Sequence, residues 1–192
     1  MIRRFPGKGN RVMPIRPIEW RPKQAGRLVP GHVRMIDQTR LPSQLVYIET
    51  RSVDDVHEAI RVLRVRGAPA IGVAAAMGVI CAIQDKHHAT GRALAADVAR
   101  AAAYLAGTRP TAVNLFKALD RMKAAAEAGK DLPPDRLLED LARQAVAIFE
   151  EDRAMCRLIG EHGASLLKDG QTILTHCNAG SLATSEYGTA LA

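Results

Sequence analysis

Aromatic residues are scarce in this chain: one Trp, three Tyr and three Phe make up 4% of its 192 residues. With 47% of the sequence hydrophobic, Ala, Leu, Ile and Val must fill the interior. That favours closely packed helices over an all-β sandwich, and the length allows one sizeable core or one domain plus part of a second. The three cysteines, Cys81, Cys156 and Cys177, are odd in number and form no C-x-x-C pair. Neither a disulfide framework nor a paired zinc site is indicated. A reducing, cytosolic setting fits best. No apolar segment follows the early basic residues, which argues against a secretory signal. The longest apolar stretch, 68–83, is rich in Ala and Gly and is too short for a bilayer span, so it reads as a buried helix with no membrane role. Internal repeats and low-complexity segments are also absent.

Acidic residues are nearly missing from residues 1–30, where Glu19 stands against eight Lys and Arg. This arm carries the entire net charge of +7, and residues 31–192 are balanced. A basic arm can bind phosphates of nucleic acid or of a membrane surface. This one lacks the interleaved aromatics of a base-stacking platform, so a solubilising, partly ordered extension is the plainer reading and no nucleic-acid partner is expected. Prolines at 6, 14, 17, 22 and 30 argue against long helices there. Short extended pieces are predicted near 33–36 and 45–49. Three regions follow from this pattern: the extension (1–30), a largely helical domain with a small antiparallel β region (31–169), and the start of a further unit (170–192).

Helices are marked clearly. Ser52 as N-cap with Asp55 three residues on resembles a capping box, and Val56, Ile60 and Leu63 form one apolar stripe behind it. Further helices are predicted at 70–84, 91–106, 111–128 and 134–168, the last starting at Pro134 and possessing a potential break near Asp152. Residues 171–176 ("QTILTH") read as a short buried strand opening a βα unit.

Four stretches could carry chemistry. In "RGAPAIG" (66–72), Arg66 precedes a Gly-Ala-Pro helix start, which offers a guanidinium, free N–H groups and a favourable dipole to a phosphate. Turn punctuation is the plainer alternative. In "TRPTAVN" (108–114), Arg109 stands at a second helix mouth, where it is an anion ligand or an ordinary surface arginine. In "THCNAGSLAT" (175–184), Cys177 sits at a strand end, the place where open α/β sheets bind ligands, with small polar residues around it. A buried inert thiol is the alternative, and His176 is a poor base because strand neighbours point to opposite faces. "DQTRLP" (37–42) is a polar turn in which Asp37 can accept loop hydrogen bonds.

Taken in order and spacing, "IDQTRLP", "VRGAPAIGVAAAMG", "TRPTAVNLFKALDRM" and "ILTHCNAGSLATSEYGTALA" resemble the methylthioribose-1-phosphate isomerase family from about Trp20 onward. The resemblance implies an α/β fold with an N-terminal helical domain and a Rossmann-like C-terminal domain. It also implies a homodimeric, cofactor-free and metal-free enzyme that turns the aldose 5-methylthioribose 1-phosphate into its ketose in methionine salvage. By motif, Arg66, Gly67 and Ala68 would hold the substrate, Arg109 would be a second contact, and Cys177 would be the catalytic cysteine.

The family pattern continues beyond residue 192, and no aspartate of this chain matches the family's general acid or base. The expectation is therefore a chain ending early in the second domain, with little turnover and with disorder or aggregation from about residue 170. Alternatives are an isomerase of ribose 1,5-bisphosphate, a partner-binding relative among the initiation-factor exchange subunits, and a non-catalytic oligomerising fragment.

Overall fold

The computed structural model describes residues 15–192. Most of the basic arm, residues 1–14, lies outside the described residues. Three antiparallel strands come first: β1 (Ile18–Gln24), β2 (Arg27–Ile36) and β3 (Tyr47–Thr50), in the order β1-β2-β3. Along β2, Val29, Gly31, Val33 and Met35 are buried and alternate with more exposed residues, as in a sheet with one face on a core. Ile18 pairs with Met35, Trp20 with Val33, and Val33 in turn with Thr50. The Trp20 ring lies over Gly31, where a Cβ would come within 2.6 Å of the indole, and its Nε1 donates to the Leu28 carbonyl at 2.8 Å.

The sheet begins earlier than the proline content predicts, and the expected boundary at residue 30 falls inside β2. The reason is positional. Pro22 is on the edge strand β1, and β3 pairs only with residues 33–36, so Pro30 lies where β2 has no neighbour on that side.

Five helices follow: α1 (Val53–Arg61), α2 (Ala68–Ile83), α3 (Gly91–Ala106), α4 (Val113–Ala128) and α5 (Pro134–Ala164). Ser52 caps α1 by accepting from the Asp54 and Asp55 amides, and Thr90 caps α3 by accepting from Ala93. The capping box is not closed by Asp55. Instead Thr50 Oγ1 accepts from the Ser52 amide and donates to Asp55 Oδ2 at 2.6 Å. Leu63 lies beyond α1 at φ +66° and is 40% exposed, outside the predicted stripe. Helix α5 runs unbroken past Asp152.

Helix α2 is the centre of the molecule, with thirteen of its sixteen residues buried. Its small residues allow close neighbours on several sides. A Cβ on Gly78 would meet Val56 of α1 at 2.8 Å, and one on Gly72 would meet the Asn114 carbonyl of α4 at 2.8 Å. Along the helix Ile71, Met77, Ile80 and Ile83 share one core with Leu94, Leu105, Leu115 and Leu119. Each such buried side chain contributes ~1.5–3 kcal/mol of transfer free energy. The sheet is tied to the bundle by polar contacts as well. Gly31 N donates to Gln84 Oε1 at 2.9 Å while Gln84 Nε2 donates to the Gly31 carbonyl at 3.0 Å, and Leu28 N donates to Glu139 Oε1 of α5.

Residues 171–176 do not form the predicted buried strand: they are irregular and exposed, with Leu174 97% exposed. A strand exists only as part of a ladder, and among the described residues no other strand lies beside this one. The chain then turns back. Residues 179, 183–186 and 188 are buried against the helices, with a 3-10 turn at Ser181–Ala183 and a bridge between Gly180 and Gly188. Among the described residues no helix is long and apolar enough to cross a membrane.

Candidate active site

The mouth of α2 is assembled by the polar turn after β2. Asp37 is buried, and its Oδ1 accepts from the Thr39 amide at 3.0 Å and the Thr39 hydroxyl at 2.6 Å, while Oδ2 accepts from Arg64 Nη1. Burial alone would raise this carboxyl's pKa. The Thr39 and Arg64 donors outweigh it and hold the group below its ordinary value. Arg64 also grips Glu58 of α1 through Nε and Nη2 at 2.9 and 3.1 Å. Gln38 then links both sides of the site: its amide donates to the Arg64 carbonyl, and its Nε2 donates to the Leu182 carbonyl at 2.8 Å.

Gly67 is the hinge of this arrangement. It adopts φ +104°, and a Cβ there would lie 2.4 Å from the Ala183 Cα, so only glycine fits. The "RGAP" and "GSLAT" stretches are thus in direct contact. Ahead of Gly67, Arg66 is exposed, and Ala68 opens the helix.

Helices α2 and α4 share a feature that α1 and α3 lack. Their N-caps, Gly67 and Ala112, make no side-chain hydrogen bond, so no cap side chain competes with a ligand for the first-turn amides; Pro69 has no N–H, and Leu115 N already donates to the Ala112 carbonyl at 2.9 Å. Each carries roughly half a positive charge at that end. The Gly72–Asn114 approach sets the two mouths side by side. Arg109 is half-buried just before α4, its carbonyl accepting from Ala112 N, and among the described residues neither Arg66 nor Arg109 is held in an ion pair. A groove of about 360 Å³ runs from these mouths between α2, α4 and α5, lined by residues including Pro69, Gly72, Asn114, Lys117, Ile148 and Met155.

The three thiols differ sharply. Cys81 is buried in α2, and burial pushes its pKa up to about 12. Cys156 is buried in α5, and burial raises its pKa too. Both are poor nucleophiles. Cys177 is exposed. It does not stand at a strand end as predicted, but opens a turn at φ +64°, a left-handed conformation that side chains seldom adopt. Asn178 Oδ1 supports the turn by accepting from Gly180 N at 3.2 Å. The structure therefore sets the starts of α2 and α4 side by side through Gly72 and Asn114 and docks Ala183 on Gly67. Cys177 stays on the exposed approach, six residues before that contact.

One residue escaped sequence reasoning. Glu186 is 0% exposed, yet its carboxylate is gripped by three arginines. Oε1 accepts from Arg16 Nε and Arg153 Nη2 at 3.2 Å each, and Oε2 accepts from Arg153 Nε at 3.0 Å and Arg157 Nη2 at 3.3 Å. Burial opposes its charge, but these donors win and lower its pKa. Next to it, Ser185 N donates to Asp152 Oδ2 at 2.6 Å. The available signal was the i,i+4 pair Arg153 and Arg157 on one face of α5. Among the described residues no group of three or more His, Cys, Asp or Glu is placed to hold a metal ion.

Comparison with known proteins follows the same residues. Residues 64–190 match the initiation factor 2 subunit family. A 5-deoxyribose 1-phosphate isomerase of Moorella thermoacetica is 52% identical over 179 residues, and a methylthioribose-1-phosphate isomerase of Geobacter sulfurreducens is 49% identical over 179 residues; each alignment covers 93% of this chain and 49% of the relative. Among solved structures, 5-methylthioribose 1-phosphate isomerase from Pyrococcus horikoshii superposes with a TM-score of 0.80 at 38% identity, over 90% of this chain and 46% of that one. The delta subunit of translation initiation factor eIF-2B from A. fulgidus gives 0.77 at 42% identity, over 92% and 49%. The chain spans about half the length of the curated relatives it matches.

Proposed function

The chain belongs to the initiation factor 2 subunit family, and from that premise we propose that it is the phosphate-binding part of an aldose–ketose isomerase. Its substrate class is a ribose 1-phosphate with no ionised group at C5, 5-methylthioribose 1-phosphate in methionine salvage above all. Two relatives carry names for such substrates, one with a methylthio group at C5 and one with a bare methyl.

The observation that carries this reading is the pair of adjacent helix mouths without side-chain caps, each preceded by an arginine outside any ion pair among the described residues. Arg66 with the amides of Gly67 and Ala68 would hold the phosphate dianion, and Arg109 would meet it or the sugar from α4. Cys177 would stabilise the transition state or move a proton as the hydrogen passes between C1 and C2. A Rossmann-like partner domain and a homodimer belong to the same proposal. The partner-binding alternative, raised by likeness to the initiation-factor subunit, gives no role to an exposed left-handed cysteine or to two arginines outside any ion pair among the described residues.

The test is a calorimetric titration of the chain with 5-methylthioribose 1-phosphate, alongside an assay for the ketose. Binding weakened by about tenfold or more in Arg66→Ala and Arg109→Ala is the expected outcome, each loss matching a charge-assisted contact. Wild-type protein that shows no affinity for the sugar phosphate would refute the assignment.

A further inference from the structure

We propose that the groove between α2, α4 and α5 receives the C5 end of the sugar phosphate and selects for an uncharged, apolar substituent there. The inference rests on the phosphate site proposed above. It adds a residue-level account of specificity, with Met155 as its chief determinant.

Position comes first. Pro69 and Gly72 lie in the opening turns of α2 and Asn114 in the opening turn of α4, so one end of the groove is the pair of helix mouths. A pentose whose C1 phosphate sits on those mouths has its other end directed away from them, and the groove is the concave surface that continues from there. Asp152 fixes the far wall in register with the site. It lines the groove and also accepts from Ser185 N, in the segment whose Ala183 touches Gly67.

Chemistry comes second. The α5 wall presents Ile148 and Met155 opposite Val73 and Ala118. Met155 is 59% exposed and is not spent on the core. A flexible, polarisable thioether suits a methylthio or methyl group. The groove's charged residues cancel. Lys117 and Arg121 face Glu151 and Asp152, and Arg121 is already paired with Glu151. That leaves no net positive charge to hold a second phosphate, whose burial is strongly unfavourable where its charge is not offset. A ribose carrying phosphates at both C1 and C5 would meet Glu151 and Asp152 beside Lys117 and Arg121, with no net attraction for the second phosphate.

Three ligands separate the subsites: inorganic phosphate, 5-methylthioribose 1-phosphate, and ribose 1,5-bisphosphate. They are titrated against wild type, Arg66→Ala, Met155→Glu and Met155→Leu, and thermal scans check that each variant is folded. Met155→Glu is expected to weaken the methylthio sugar about tenfold, the size of effect a small apolar group commands in a pocket. Inorganic phosphate should stay within about twofold of wild type, because it touches only the mouths. Met155→Leu should restore the affinity for the sugar, and the bisphosphate should bind wild type more weakly than the methylthio sugar. If Met155→Glu leaves the methylthio sugar unaffected, or the bisphosphate binds at least as well, the groove assignment is overturned. In that case a retained Arg66→Ala effect keeps the phosphate site intact. If wild type binds none of the three, the phosphate site falls and the groove falls with it.

Discussion

Replacing Glu186 tests whether the C-terminal segment is held by charge. Breaking a buried ion pair by removing one partner typically costs ~3–5 kcal/mol, because the other charge is left buried and alone. Here the partners differ in exposure. The side chains of Arg16 and Arg157 are 44% and 50% exposed, so water takes over much of their solvation, whereas Arg153 is 17% exposed. Discounting the two exposed arginines leaves ~2–3 kcal/mol for Glu186→Gln, carried mostly by Arg153. For a domain of this size that is a fall in Tm of roughly 4–12 °C. The pH dependence has a definite sign. The folded carboxyl has a lowered pKa, so its contribution is present above the ordinary glutamate value of 4.5 and is lost as pH falls through the folded value. Wild type and Glu186→Gln should therefore converge in acid. Urea unfolding at several pH values gives the energy, and hydrogen exchange at 181–188 shows whether the loss is local. A difference below ~0.5 kcal/mol at neutral pH, with unchanged exchange, would mean that apolar packing alone holds the segment, and the electrostatic reasoning would be wrong.

Other consequences can be checked independently. Gly67→Ala should cost at least ~2 kcal/mol, from a positive φ and a Cβ driven into Ala183, and should abolish phosphate binding; Gly163→Ala, with open space around it on α5, should be neutral or stabilising by up to ~1 kcal/mol. Iodoacetamide followed by mass spectrometry should label one thiol, Cys177, in the folded protein and all three in urea. His88 is a separate acid sensor. Burial, then Lys86, His87 and Arg100, lower its pKa, and the Asp97 carboxylate 3.0 Å away is already shared with Lys86 and Arg100. The folded state therefore resists protonation, so this contribution is complete above pH ~6.5 and declines as pH drops from there toward the folded pKa. Thermal scans from pH 7.5 to 5.5 should show a slope that His88→Asn removes.

The helical half of the molecule was legible because its signals are local. Ser52 and Pro134 start helices where such residues do, and α3 has the bounds predicted, 91–106. The misreadings share one cause, which is that the deciding partner is distant in sequence. The prolines of β1 and β2 hid a hairpin whose tolerance of them depends on which strand is paired where. The apolar run 171–176 has strand character, but no neighbouring strand among the described residues confirms it. The helix-mouth residues of the site were readable as motifs. Their contact with Ala183 was not, and neither was Glu186, whose arginines lie 29 to 170 residues away.

Every residue from 165 to 178 is exposed, so the segment that docks on Gly67 hangs from the helices by a bare tether. Such a tether acts by keeping the docking piece at high effective concentration, which falls only slowly as the tether lengthens. Cutting it would turn one folding event into the association of two molecules, with the contacts at Leu182, Ala183, Ser185 and Glu186 left to hold the complex alone. The proposed phosphate site would then depend on the docked segment only through Gly67, whose conformation Ala183 packs against: protein cleaved within 171–176 should bind phosphate more weakly on dilution and recover when the peptide 179–192 is supplied in excess.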